Sequence, residues 1–307
     1  MNPARLVLPA LRWRPETGFH HEDRAIDAAL ELGVGGFIVF GIPGAHAEEV
    51  AALTHEIRRR AGRPLLMGAY LERGAGQQAR WLSPIPPPGA LAWLADDSVI
   101  TWAGATTARE AAGIGINWVF APVADLDVEP ENPIVQSRSF GADPEAVGRA
   151  VALWIQAAES EGVLACVKHF PGHGRTRHDS HQTLPTVDRT LGEMEESDLR
   201  PFRAAIEAGV SSVMTAHVAY PWWDAPGIPA TRSARILGYL RREFGFDGLV
   251  VTDALIMRGA GAGEDEAGST PAVEALAAGC DILLYPPDAA ATVNGIREAA
   301  AKEPALA

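Results

Sequence analysis

Eight short apolar runs recur along this chain of 307 residues, each separated from the next by a longer amphipathic or loop-rich stretch. They are RLVLPALR (5–12), GGFIVF (35–40), PLLMGAYLE (64–72), NWVFAPVADLD (117–127), VLACVKHF (163–170), SSVMTAHV (211–218), GLVVTDAL (248–255) and DILLYP (281–286). They are almost continuously apolar, the pattern of strands covered on both faces rather than of a half-exposed sheet. The intervening segments read as helices with stop signals. DRAIDAALELG (23–33) and TTAREAAGIG (106–115) end on Gly, and DPEAVGRAVALWIQAAESEG (143–162) offers Asp143 as N-cap and Pro144 at the first helical position. LRPFRAAIEAG, SARILGYLRREFG and TPAVEALAAG repeat that grammar, and DAAATVNGIREAAAKE closes the chain as a last helix. Strand and helix alternating eight times predict one (β/α)8 barrel of the TIM type, a single domain over residues 1–307. An open doubly wound sheet is the competing architecture, but no Gly-rich dinucleotide turn follows the first run. The Pro- and Gly-rich patches at 84–89 and 171–174 read as loops.

Charge and cysteine content narrow the partners. A net charge of −13 argues against a nucleic-acid or anionic-membrane partner. No run approaches the length that spans a bilayer, and the apolar part of MNPARLVLPALRW is too short for a secretory signal. A cytoplasmic protein, monomeric or weakly oligomeric, is the expectation. Cys166 and Cys280 lie inside apolar runs and read as buried thiols, not a disulfide.

Ionisable residues gather at the trailing ends of the runs: Glu72, Asp125, Asp127, Lys168, His169, His217 and Asp253. In a barrel that edge carries the catalytic groups, so the pattern points to an enzyme. Asp253 closes an apolar strand, where a carboxylate is desolvated; it is either a nucleophile or electrostatic stabiliser at the barrel mouth or a helix N-cap. KHFPGHGRTRHDSHQTLP (168–185) holds four of the nine histidines. A two-His-plus-carboxylate metal site is conceivable there, but Pro171 and Gly172 break any helix between His169 and His173, and no HExxH motif occurs. A phosphate cradle lacks the Walker spacing. Asp179 and His181, two apart on a loop, suit an acid/base device, with the carboxylate orienting the ring, or a plain surface loop contact. Arg138 in ENPIVQSRSFG (131–141) can clamp a hydroxyl or carboxylate.

Together, KHFPGHG with DSHQTLP, GFDGLVVTDAL and NPIVQSRSFG resemble glycoside hydrolase family 3, in particular its single-domain β-N-acetylglucosaminidase (β-N-acetylhexosaminidase) branch. The resemblance runs from about residue 24 to residue 290. It implies a retaining hydrolase that removes terminal β-linked N-acetylglucosamine from small glycosides such as peptidoglycan fragments, without cofactor or metal. By the same resemblance Asp253 attacks the sugar, His181 held by Asp179 moves the proton, and Arg138, Lys168, His169 and Glu72 contact the sugar. The loop carrying Asp179 and His181 is expected to close over the substrate. A β-glucosidase or a glycoside phosphorylase is the alternative on this fold, because neutral imidazole repels phosphate less than a carboxylate does. A sugar-binding barrel without turnover and a metallo-hydrolase are the readings from other classes. The family's D-x-E-x-G pattern is altered here: in AYLERGAG, Tyr70 stands at the Asp position while Glu72 and Gly74 are kept. A tyrosine there also belongs to the expected substrate contacts, but it cannot accept two hydroxyls as an anion does. A second departure is Ala254, where this branch often carries another Asp.

Overall fold

The computed structural model describes residues 2–42, 44–261 and 269–302. Its strands are β1 (Val7–Leu8), β2 (Ala10–Arg12), β3 (Gly36–Phe40), β4 (Leu66–Ala69), β5 (Trp118–Val119), β6 (Leu164–Phe170), β7 (Ser212–Thr215), β8 (Leu249–Val251) and β9 (Leu283–Leu284). The helices are α1 (Asp23–Leu32), α2 (Ala47–Ala61), α3 (Pro88–Trp93), α4 (Asp97–Gly113), α5 (Pro144–Ser160), α6 (Leu191–Glu195), α7 (Arg200–Glu207), α8 (Ala234–Arg242), α9 (Ser269–Ala278) and α10 (Ala289–Lys302). Glu303, the last residue of the expected final helix, lies outside the described residues.

Strands β2 to β8 form a curled parallel sheet of seven in chain order, and β1 pairs separately with β9. The expectation of one eight-stranded barrel is therefore met only in part. Pro9 is the physical reason for the division. It has no N–H and interrupts the first apolar run, so Val7–Leu8 pairs with Leu283–Leu284 while Ala10–Arg12 pairs with β3. Backbone bonds nevertheless reach across both seams. Ile38 N–H donates to Pro9 O (2.9 Å), Thr252 N–H to Ile282 O (3.0 Å) and Asp281 N–H to Val250 O (2.7 Å). The expected fourth strand is also shorter than its apolar run: regular pairing covers Trp118–Val119, and the Ala121–Pro122 bond is cis.

Alternation along the strands divides the core in two. Leu8, Ile38, Trp118, Phe120, Cys166, Met214, Val251 and Leu284 face one another in an inner cluster, with Ala10 and Leu66 at its edge. Their neighbours Val7, Val39, Val119, Val167, Val213, Val250 and Leu283 point the other way, into the layer beneath the helices. Gly68 has no side chain because the Phe120 ring fills that space; an added Cβ would lie 2.5 Å from Phe120 Cζ. In the outer layer Gly104 brings α4 against α5, where a Cβ would meet Trp154 O at 2.5 Å. Asp143 caps α5 by accepting from Ala146 N–H (2.8 Å) with Pro144 in the first turn, as expected. Gly33 ends α1 with φ +91°, a conformation that glycine adopts without strain. Helix α3 begins at Pro88, inside the stretch expected to be loop, because proline is tolerated in a first turn. Cys166 and Cys280 are buried and free, as expected. No described helix is long and apolar enough to cross a membrane.

The outer layer holds β6 through Phe170, whose ring meets Phe202 of α7 edge to face at 5.4 Å, both fully buried. Phe202→Ala is expected to destabilise the protein by about 3–5 kcal/mol through lost burial and the cavity left behind. Denaturant titration checks this, and a loss below about 1 kcal/mol would contradict the packing role.

Candidate active site

Six of the residues singled out in the sequence converge where the strands end. Lys168 and His169 finish β6, Tyr70 and Glu72 follow β4, Asp253 follows β8, and Arg138 comes from the loop after β5. Glu72 is the centre of charge. Its Oε1 lies 2.5 Å from Lys168 Nζ and 2.6 Å from Arg138 Nη2, while Oε2 accepts from Arg138 Nε (2.8 Å). Burial pushes this carboxyl upward, but the ammonium and the guanidinium outweigh burial and hold it well below the usual range. Burial also lowers the Lys168 ammonium, opposed by the charge of Glu72.

Asp253 has two unequal oxygens. Oδ1 accepts from the Tyr70 hydroxyl (3.0 Å) and from Ala254 N–H (2.7 Å). Oδ2 faces His169 Nε2 at 3.9 Å. Burial raises the Asp253 carboxyl; His169, His217, the Ala254 N–H and Lys168 lower it more, to about 2. The carboxylate is thus ionised at neutral pH and desolvated, and among the described residues its Oδ2 takes no hydrogen bond, the state that attack on an electrophilic carbon requires. It does not cap a helix; a short 3-10 turn, Arg258–Ala260, follows. Tyr70, whose phenol burial and Asp253 push up, packs flat on Phe40 at 5.8 Å and edge-on to Phe120 at 5.0 Å. Lys168 Nζ lies 4.4 Å over its ring centre.

Behind these groups stands Asp125, to which the sequence reading assigned no role. Its Oδ2 lies 2.7 Å from His169 Nδ1, and its Oδ1 accepts from the backbone N–H of His169 (3.2 Å) and of His173 (2.7 Å). His173, also left without a role, is buried between Thr176 Oγ1 (2.8 Å from Nδ1) and Ser180 Oγ (2.9 Å from Nε2). Burial lowers its ring to about 4, so it is neutral at pH 7. The buried His217 ring sits between Thr231 Oγ1 (2.7 Å) and Ala254 O (3.2 Å), beside the Asp253 backbone.

Asp179 and His181 are joined to each other, with Nδ1 to Oδ1 at 2.7 Å and His181 N–H to the same oxygen at 2.8 Å. The His181 side chain is 61% exposed. Burial raises the Asp179 carboxyl, but its contacts with His181 lower it more. Among the described residues no hydrogen bond or ion pair links this pair to Asp253. The loop is instead tied to the segment beyond Asp253: Gly259 N–H donates to Ser180 O (2.9 Å) and Arg258 N–H to His181 O (3.4 Å). Asn132 donates to His173 O (2.9 Å) and so ties the Arg138 loop to the same unit. His178 lines a separate surface cavity of about 570 Å³ with Arg175, Arg177 and Arg189. No group of three or more His, Cys, Asp or Glu among the described residues is arranged to hold a metal ion.

Residues 16–304 match the model of the glycosyl hydrolase family 3 N-terminal domain. The chain belongs to glycosyl hydrolase family 3. A β-hexosaminidase of Chromobacterium violaceum is 39% identical over 263 residues, 82% of this chain and 71% of that protein. A β-N-acetylglucosaminidase/β-glucosidase of Cellulomonas fimi is 34% identical over 264 residues, 83% of this chain and 46% of the relative, so the chain spans about half of that protein's length. The structure of a family 3 β-N-acetylglucosaminidase from a Paenibacillus species superposes with a TM-score of 0.88 at 32% identity, over 99% of this chain and 59% of that one.

The depressed His173 ring has a consequence for stability. Below pH 6.5 the unfolded chain takes up a proton at this ring, while the folded chain resists until about pH 4. Stability is therefore lost as pH falls through that window and is fully present above it, a component of about 3 kcal/mol. Urea titrations at pH 7, 5.5 and 4.5 are expected to show a shallower acid loss for His173→Gln than for wild type. Parallel loss in both proteins would remove His173 as the cause.

Proposed function

We propose that this family 3 chain is a retaining glycosidase that removes terminal β-linked N-acetylglucosamine from small glycosides such as peptidoglycan fragments. The observation that carries the reading is Asp253, an ionised carboxylate at a strand end whose Oδ1 is held by Tyr70 and Ala254 while Oδ2, among the described residues, takes no hydrogen bond. We take the two sheets to form one closed eight-stranded barrel, with residues 7–12 as a broken first strand. The inner cluster, fed by strands from both sheets, supports this, as do the seam bonds of Pro9 and Thr252. In that architecture Asp253 stands at the catalytic edge.

The proposed reaction runs in two displacements. Asp253 Oδ2 bonds to the anomeric carbon as the C1–O bond to the leaving group breaks. The bonding pair goes to the departing oxygen, which takes a proton from the His181 imidazolium. Water then attacks the same carbon, gives its proton to neutral His181, and the glycosyl ester opens to return the carboxylate. Asp179 fixes the ring through Nδ1, leaving Nε2 for this transfer, and supports the imidazolium. His169 and Lys168 offset the charge of Asp253, and Arg138 and Glu72 border the sugar. The pair differs from the two carboxylates usual in retaining glycosidases. A phosphate ion in place of water would complete the second step as phosphorolysis.

Asp253→Ala is expected to reduce kcat toward a nitrophenyl β-N-acetylglucosaminide by at least roughly a thousandfold, the scale seen when a covalent nucleophile is removed. Azide is expected to restore turnover by giving an α-glycosyl azide. Equal rates in wild type and variant would overturn the assignment. Phosphate added to wild type distinguishes the second-step acceptor by the presence of sugar 1-phosphate.

A further inference from the structure

The wall of the site beside Asp253 is aromatic at Tyr70 and Phe40, and it carries a cation, Arg12. Tyr70 has one hydroxyl proton, and that proton goes to Asp253 Oδ1 at 3.0 Å. Its ring is fixed by Phe40 and Phe120, so no carboxylate acceptor for sugar hydroxyls stands at this position. The aromatic surface continues from Phe40 to Tyr285, whose rings are 6.0 Å apart. Arg12, the last residue of β2, lies over both: its Cζ is 4.5 Å from the centre of Phe40 and 5.0 Å from that of Tyr285. Its Nε donates to the Tyr285 hydroxyl at 2.8 Å, which fixes the plane of the guanidinium. The backbone N–H of Arg12 donates to Glu22 Oε1 (3.0 Å), and that carboxylate oxygen also lies 3.3 Å from His21 Nε2. Among the described residues no carboxylate pairs with the Arg12 guanidinium. The side chain is exposed, at the same strand-end edge as Asp253. The neighbouring cation differs, since Lys168 is buried and already paired with Glu72.

A guanidinium stacked on two aromatic faces, its Nη atoms without a hydrogen bond among the described residues, is preorganised to grip a planar or tetrahedral anion through two parallel N–H bonds. A neutral hydroxyl gains much less there and has no anionic acceptor at Tyr70. We propose that the sugar bound in this site carries a negative substituent, a carboxylate or a phosphate, facing the Arg12–Phe40–Tyr285 wall. The substrate class is then an acidic N-acetylhexosaminide. Arg12 and Tyr70 together exchange hydroxyl recognition for charge recognition. The inference rests on the glycosidase reading above for its activity arm only.

Two measurements test it. In the first, calorimetry compares N-acetylglucosamine, N-acetylglucosamine 6-phosphate and N-acetylglucosaminuronic acid as free sugars on wild type, Arg12→Gln and Arg12→Lys, without any turnover. An acidic sugar is expected to bind about tenfold more tightly than the neutral one, as a charge-assisted bidentate contact allows. Arg12→Gln is expected to abolish that preference, Arg12→Lys to keep part of it, and added salt to shrink it. In the second, nitrophenyl glycosides of the same three sugars are assayed, with the preference for an acidic sugar expected in KM and expected to be lost in Arg12→Gln. Equal or tighter binding of the neutral sugar, or a preference that Arg12→Gln leaves intact, would overturn the proposal. Acid-sugar binding without hydrolysis of any glycoside would uphold it while sinking the glycosidase reading. The phosphate and carboxylate arms separate the two sources of charge.

Discussion

The buried Glu72 carboxylate is the interaction on which the arrangement depends. It joins three chain segments distant in sequence, the exit of β4, the loop after β5 and the end of β6, through Arg138 and Lys168. Each further contact is built on one of those partners. Lys168, held by Glu72, lies over the Tyr70 ring, and Tyr70 in turn holds Asp253 Oδ1. Arg138 fixes the loop whose Asn132 donates to His173 O. Removing one charge from such a cluster leaves the others buried without compensation, at a cost of about 3–5 kcal/mol. The cluster is therefore close to all-or-none: losing one member disturbs the site and the stability together.

Asp125 plays the corresponding part on the other side. It takes both a ring N–H and two backbone N–H groups from residues 169 and 173, and so sets where the chain turns out of β6. Asp253, partly buried, and His173, fully buried, are then tuned in contrasting ways. Nearby positive charge overrides desolvation at Asp253 and keeps it anionic, whereas desolvation wins at His173 and keeps it neutral. One neighbourhood thus holds a carboxylate kept anionic and a neutral ring hydrogen-bonded at both nitrogens.

Much of this was legible in the sequence, because a polar residue ending an apolar run is costly unless it has a purpose. That reasoning found Glu72, Lys168, His169 and Asp253, and the Asp179–His181 spacing found their mutual bond. It flagged Asp125 but could not give it a role, since its partners lie 44 and 48 residues away. Arg12 ends the first run by the same rule and was passed over, because its meaning depends on Tyr285, 273 residues distant. The Tyr70 contact with Asp253 spans 183 residues and turns a residue read as facing the sugar into one that also holds a carboxylate. Strand limits were misjudged where apolar composition outran pairing, at Pro9 and beyond Val119. Helix α2 escaped notice because its capping box uses His46 with Glu49 rather than Ser or Thr.

The position of Ser180 between Asp179 and His181 shows how a loop can be both anchored and available. Ser180 is 2% exposed, gripped by His173 on one side and by Gly259 N–H on the other. Its neighbour His181 stays 61% exposed. Anchoring the residue between the two partners fixes the backbone there without burying either side chain, so the ring stays open to solvent. The same anchor runs through Gly259, where a side chain would collide with Ser180 O at 2.8 Å and with His217 O at 3.0 Å. Only a glycine lets the segment after Asp253 come this close to the loop. The Asp253 carboxylate on its strand and the His181 imidazole on its loop are thereby tied through backbone contacts and, among the described residues, not by any bond between the two side chains.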